Sequence, residues 1–139
     1  MSQLIPNLAF AGNADEALNH YQDVLGGNLE LARFRGTPAE AMVPAEWLDK
    51  VLFASLHSPF GVLSAMDAPP GRQGTPGGNF SITVQLDDEA QAAHIFTALA
   101  DGGNVTMPFE TTFFAKKFGM LKDRFGISWM VQVPAAVHA

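Results

Sequence analysis

Gly26-Gly27-Asn28-Leu29 and Gly102-Gly103-Asn104-Val105 are nearly the same stretch written twice, once in each half of the chain. Glycine ends a helix because it enters the left-handed C′ conformation without a side-chain clash, so each copy marks a helix stop followed by a strand start. Before the first copy, Ala14, Ala17, Leu18, Tyr21, Val24 and Leu25 recur at helical intervals. Asn13 stands three residues ahead of Glu16, the spacing of a capping box. Before the second copy, Ala92, Ile95, Phe96 and Leu99 form the matching stripe. Asp87-Asp88-Glu89 opens that helix with charge that suits its dipole.

Reading outward, each helix is preceded by a strand-like run, Leu4 to Phe10 and the strictly alternating Asn79 to Leu86. Three strand candidates follow each helix. In the first half they are Asn28 to Phe34, Lys50 to His57 and Gly61 to Met66, with a long loop from Gly36 to Trp47. In the second they are Val105 to Glu110, Phe113 to Leu121 and Ile127 to Val133. Both final hairpins turn on Phe-Gly-aliphatic, at Phe60-Gly61-Val62 and Phe125-Gly126-Ile127. Two such matches in one order, inside one β-α-β-β-β succession, indicate an internal duplication. The modules span about 1–67 and 79–134, and residues 68–78, seven of them Gly or Pro, read as a linker.

Composition narrows the function. The chain has 139 residues, 47% of them hydrophobic, which suits one compact domain with a real core. A net charge of −6, with Lys116-Lys117 as the densest basic pair, argues against a nucleic-acid partner. The absence of cysteine removes disulfides and thiolate chemistry. Met1 to Phe10 lacks the pattern of a signal peptide, and no apolar run approaches the roughly 20 residues of a membrane span, so a cytoplasmic protein is expected. Neither His-Glu-x-x-His nor Gly-x-Ser-x-Gly occurs. Asp123-Arg124-Phe125-Gly126 precedes a hairpin glycine rather than belonging to a kinase.

Several stretches resemble one family. Leu8-Ala-Phe-Ala-Gly-Asn13 with Ala17 and His20-Tyr21 is similar to the opening strand and helix of the PhnB-like branch of the vicinal-oxygen-chelate (glyoxalase/bleomycin resistance/dioxygenase) superfamily. Met66-Asp67-Ala68 resembles its mid-chain stretch. Glu110-Thr-Thr-Phe-Phe114, Phe118-Gly119 and Lys122-Asp-Arg-Phe-Gly126 with Trp129 resemble its closing signature. The resemblance implies an α+β fold and a single glyoxalase-like domain over 1–139, whose tandem β-α-β-β-β modules form a cup-shaped mixed sheet with helices outside. It also implies a homodimer, which would cover the strand edges that such sheets leave. Older labels for the branch name a demethylubiquinone methyltransferase or a DNA-binding protein. Neither suits this chain, which lacks a glycine-rich strand-to-helix nucleotide fingerprint and is acidic.

In metal-using relatives, the resemblance implies one ligand on the first and one on the last strand of each module. Those positions fall at or near Asn7 and Ser81, at one of Ser64, Ala65 or Met66, and at Met130. Neutral amide, hydroxyl and thioether groups hold a hard divalent ion poorly, so no metal or other cofactor is expected. Alternation turns Asn79, Ser81, Thr83 and Gln85 toward the cup and Phe80, Ile82, Val84 and Leu86 toward the helix. It likewise turns Ser128, Met130 and Gln132 inward and Trp129, Val131 and Val133 outward. His57 shares a face with Phe53 and Ser55 and is either a site residue or a strand-end histidine beside a turn. His20, His94 and His138 read as solvated or packed side chains.

The expected ligand-binding set is therefore Asn7, His57, Ser64, Ser81, Thr83, Met130 and Gln132, with Phe113, Phe114 and Trp47 as candidate aromatic cover and no catalytic residue assigned. Phe113-Phe114 read equally as core or dimer packing, and two adjacent strand residues cannot both face the cup. Such a wall suits a small, partly apolar organic ligand, with neither nucleic acid nor membrane as partner. The alternative is a metal-dependent isomerase, lyase or dioxygenase using His57 with Glu110 or Asp67. A structural role without a ligand is the third reading.

Overall fold

A computed structural model describes residues 3–69 and 80–135. The chain divides into two compact units, Met1–Thr75 and Pro76–Ala139. The first contains β1 (Asn7–Phe10), α1 (Ala14–Leu25), β2 (Asn28–Arg33), β3 (Val51–Ser58) and β4 (Gly61–Asp67). Its sheet runs β1-β4-β3-β2, with β1 parallel to β4 and the other pairs antiparallel. The second contains β5 (Ile82–Gln85), α2 (Glu89–Ala100), β6 (Asn104–Glu110), β7 (Ala115–Lys122) and β8 (Ser128–Pro134). Its sheet runs β5-β8-β7-β6, again with only the first-to-last pair parallel. One β-α-β-β-β topology thus occurs twice, as two open four-stranded mixed sheets in an α+β fold.

Each helix packs by the stripe read from its sequence, except that Val24 of α1 is only half-buried. Ala14, Ala17, Leu18, Tyr21 and Leu25 are buried on α1, and Ala92, Ile95, Phe96 and Leu99 on α2. The sheet faces that receive them alternate just as regularly. Leu8, Phe10, Ala54, Leu56, Leu63 and Ala65 are buried in the first unit, and Val84, Leu121, Trp129, Val131 and Val133 in the second. Gly119 sits on that second face. A Cβ there would lie 2.6 Å from the Phe96 ring, so its bare backbone lets Phe96 press against the sheet and stack on Phe109 at 5.2 Å.

Both Gly-Gly pairs have a second function beyond stopping a helix. The second glycine of each lies against the end of the neighbouring strand. A Cβ on Gly27 would stand 2.1 Å from the His57 carbonyl oxygen, and one on Gly103 2.3 Å from that of Lys122. The residues that follow are then fixed in equivalent registers, Asn28 opposite His57 and Asn104 opposite Lys122.

Two buried carboxylates tie the turns. Asp67, with no exposed surface, accepts from Gly12 and Ala14 N–H at Oδ1 (3.0 and 2.9 Å) and from Val51 N–H at Oδ2 (2.9 Å). It therefore pins the β1–α1 turn and the start of β3 to the end of β4. Asp123 accepts from Phe125 and Ile127 N–H at Oδ1 (both 2.9 Å) and from Trp129 Nε1 at Oδ2 (2.8 Å), shaping the β7–β8 turn.

Some local expectations change. Asn13 makes no side-chain capping bond; the Glu16 N–H that it would take goes to Asp15 Oδ1 at 2.8 Å, and the buried Asp67 carboxylate accepts from the first amide of α1. Asp88 does cap α2, accepting from Gln91 N–H at 3.0 Å. The Gly36–Trp47 loop holds two short 3-10 turns, Pro38–Met42 and Ala45–Trp47, and Trp47 is buried. The strand expected over Asn79–Leu86 is ordered only from Ile82 to Gln85, and Phe80 is 71% exposed rather than packed under α2. Asn79, residues 70–78 of the expected linker and His138 lie outside the described residues. No helix among the described residues is long and apolar enough to cross a membrane.

Asp67→Asn offers an N–H₂ where one backbone N–H needs an acceptor, and an unsatisfied buried donor costs about 1–3 kcal/mol. With the charge-assisted bonds lost as well, we expect a destabilisation of about 2–4 kcal/mol in urea denaturation.

At the exposed β2–β3 connection, Arg35 donates two hydrogen bonds to Asp49, at 2.8 and 3.2 Å, and holds its carboxyl below the ordinary 3.8. The stabilisation is complete above that value and fades as pH falls through the lowered one. Arg35→Ala should return Asp49 to the ordinary range in an NMR titration, with little effect on stability because the pair is solvated.

Candidate functional site

The helices cover one face of each sheet, which leaves the other face as the place where polar side chains stand without a packing role. In the first unit, strand pairing lines up a row across all four strands. Asn7 lies opposite Ser64, Ser64 opposite Ser55, and Ser55 opposite Glu30. His57 stands one step along β3, paired with Val62 and Asn28, and its Nε2 is 4.0 Å from the Glu30 carboxylate. Phe53 lies on the same face and is half exposed. The row is polar, and its centre carries no charge.

The open face of the second unit differs in chemistry. Thr83 lies opposite Met130, Met130 opposite Met120, and Met120 opposite Met107. The neighbouring row is Gln85, Gln132, Phe118 and Glu110. Phe118 is nearly buried although it faces away from α2, because Phe114 packs edge-on against it at 5.0 Å. Phe113 stands fully exposed and meets Phe114 edge-on at 5.1 Å. Thr112 holds this turn, its hydroxyl accepting from Ala115 N–H at 3.1 Å.

Comparison with known proteins now places the chain. Residues 2–132 match the family model described as 3-demethylubiquinone-9 3-methyltransferase. The chain belongs to this PhnB-like family. It is similar to protein PA1353 from Pseudomonas aeruginosa, at 40% identity and a TM-score of 0.84, over 95% of this chain and 97% of that one. It is also similar to the Bacillus cereus PhnB protein, a putative 3-demethylubiquinone-9 3-methyltransferase, at 25% identity and a TM-score of 0.73, over 94% and 98%. The glyoxylase/bleomycin resistance protein/dioxygenase domain from Frankia sp. EAN1pec shares the fold, with a TM-score of 0.64 at 16% identity, over 99% and 96%.

Within this PhnB-like frame the expected site residues divide by unit. Asn7, Ser64 and His57 fall on the open face of the first sheet, and Thr83, Met130 and Gln132 on that of the second. The strand register makes Thr83 the partner of Met130; Ser81 precedes β5 and stands beside no β8 partner. Trp47 is buried and offers no exposed cover, whereas Phe113 and Phe114 are exposed. Asp67 lies on the helix-covered face of its sheet with both carboxylate oxygens engaged, so it is not a partner for His57. Sequence reading passed over Glu30, Met107, Met120 and Phe118. Glu30 alternates with Asn28 along β2, and Phe118 with Met120 along β7, so these three had a local signal, whereas Met107 lies between two register shifts. No group of three or more His, Asp or Glu suited to a metal ion occurs among the described residues.

An exposed ion pair is worth about 0–1 kcal/mol, whereas truncating a largely buried Phe costs several. His57→Ala should therefore shift the urea midpoint little, by less than about 1 kcal/mol, while Phe118→Ala should cost about 2–4 kcal/mol.

Proposed function

We propose that this PhnB-like protein binds a small, partly apolar organic molecule on the open faces of its sheets, without a metal or other cofactor. The observation that carries the reading is the register: it pairs Asn7 with Ser64 in the first sheet and Thr83 with Met130, beside Gln132, in the second, all neutral and each on the face opposite its own unit's helix. Hydroxyl and amide groups fix orientation, while Met130, Phe118 and Phe114 supply apolar surface, a mixture typical of organic-ligand sites. Methyl transfer, named in the family's description, needs a donor site; the chain has no glycine-rich strand-to-helix fingerprint for one. We further propose a cytoplasmic homodimer with no nucleic-acid or membrane partner, in keeping with the net charge of −6 and the open strand edges β1, β2, β5 and β6.

One observation favours the second reading, a metal-dependent isomerase, lyase or dioxygenase with a non-standard ligand set. His57 and Glu30 are adjacent on the first open face and could supply two ligands. A catalytic metal normally takes about three protein ligands, which leaves that pair one short.

Calorimetry separates the two. Zn, Ni, Mn, Mg and Fe(II) should each fail to bind tighter than about micromolar, some −8 kcal/mol. Stoichiometric binding that disappears in His57→Ala would move the enzyme reading ahead. In a thermal-shift screen of neutral aromatic and heterocyclic compounds, a bound compound at 100 times its Kd should add about 2.7 kcal/mol of stability. Ser64→Ala should weaken a compound held on the first open face, and Gln132→Ala one held on the second, at least ten-fold. Size-exclusion chromatography with light scattering should give twice the 14.9 kDa of one chain.

A further inference from the structure

Met107, Met120 and Met130 form one row across three adjacent strands of the second sheet. Three of the six methionines in the chain are thus gathered on a face that no helix covers, each half exposed. Directly opposed residues on neighbouring strands have Cβ atoms about 4.5–5.5 Å apart, so the central Met120 has a thioether neighbour on each side. Methionine has three rotatable side-chain bonds and a polarizable sulfur, which lets the outer two lean toward the middle one. Core packing does not account for the row, because the core of this unit is the opposite face, under α2. The row does not arise from simple alternation either. The pairing shifts between Val105 and Met107 and again between Met107 and Glu110, which turns Met107 toward Met120.

We propose that the row is a binding site for a soft monovalent cation, Cu(I) or its chemical analogue Ag(I), held by the three thioether sulfurs. Thioethers are soft, neutral donors that discriminate against hard divalent ions and favour Cu(I). The surroundings suit a single positive charge. Phe118, two residues from Met120 on the same face, brings an aromatic ring beside the row, and such rings attract cations. The flanking rows carry Glu110 on one side and Lys122 on the other, so no net repulsion is built in. Thr83, at the far end opposite Met130, adds only a hydroxyl. The proposal does not rest on the organic-ligand reading, although the two share Met130, Thr83 and Phe118.

The test is anaerobic competition for Cu(I) against the colorimetric chelator bicinchoninate. The wild-type chain should withdraw one Cu(I) per protomer. Met120→Leu, a near-isosteric change, should weaken the affinity at least ten-fold with an unchanged urea midpoint. Met66→Leu, which removes a thioether from the first unit, should leave it as in wild type. In protein carrying ¹³C-methyl methionine, Ag(I) should shift three methyl resonances, assigned by substitution to Met107, Met120 and Met130. The proposal is overturned if Cu(I) stays with the chelator, if Met120→Leu binds as tightly as wild type, or if the shifted resonances belong to Met1, Met42 or Met66.

Discussion

Everything on the open faces follows from one backbone contact made twice. Gly27 against the His57 carbonyl and Gly103 against that of Lys122 leave no room for a side chain. The strand that leaves each helix can therefore settle against its neighbour closely only at that point. The side-chain period of a strand is two, so a slip of one residue would carry every polar group to the helix side and every apolar one to solvent. The contact thus selects, from two possible assignments of faces, the one in which Ser55 and His57 stand clear of α1 and Leu56 lies beneath it. The apolar stripe of each helix supports the same choice from the other side.

The two units secure their turns by different means, and the difference explains where local sequence signals failed. In the first unit one carboxylate, Asp67, gathers N–H groups from the β1–α1 turn, the first residue of α1 and the start of β3. The Asn13–Glu16 spacing is a genuine capping pattern, yet the Glu16 N–H it would use goes to Asp15 Oδ1 at 2.8 Å, and the Ala14 N–H goes to Asp67, 53 residues away. The carboxylate next along the chain, Asp15, thus takes the place of the Asn13 cap, while Asp67 ties the turn from outside the helix. In the second unit α2 keeps a local cap, Asp88, and the buried carboxylate, Asp123, has moved to the β7–β8 turn under Trp129. The Asp-Arg-Phe-Gly run is thereby a turn-forming device.

Periodicity was legible from the sequence wherever the backbone kept its period. The α2 stripe needed no adjustment, the α1 stripe lost only the half-buried Val24, and the alternation of β8 placed Trp129, Val131 and Val133 under the helix and Met130 and Gln132 opposite. Strand ends were less legible, because they depend on pairing. β5 pairs β8 only from Ile82 onward, and Phe80, outside that ladder, has no helix above it. The methionine row was illegible for a sharper reason. Alternation assigns Val105, Met107 and Phe109 to one face, but a bulge on either side of Met107 reverses that residue alone. Bulges leave little trace in composition, and their effect on a side chain's direction is total.

The same reasoning explains why fold likeness is a weak guide to chemistry in this family. The residues that hold each unit together face the helix or lie in turns: the glycine approaches, Asp67, Asp123 and the buried stripes. Apart from the nearly buried Phe118, those on the open faces contribute little to packing, and exchanges at exposed positions usually change stability by no more than about 0.5 kcal/mol. A polar row at Asn7, Ser64, Ser55 and Glu30 and a thioether row at Met130, Met120 and Met107 have therefore arisen on one topology within a single chain. If two copies of the module in one molecule differ this much, a neighbour with 16% identity and the same backbone constrains the reaction hardly at all. The open-face side chains that the proposed binding would use are the positions the fold leaves free to change.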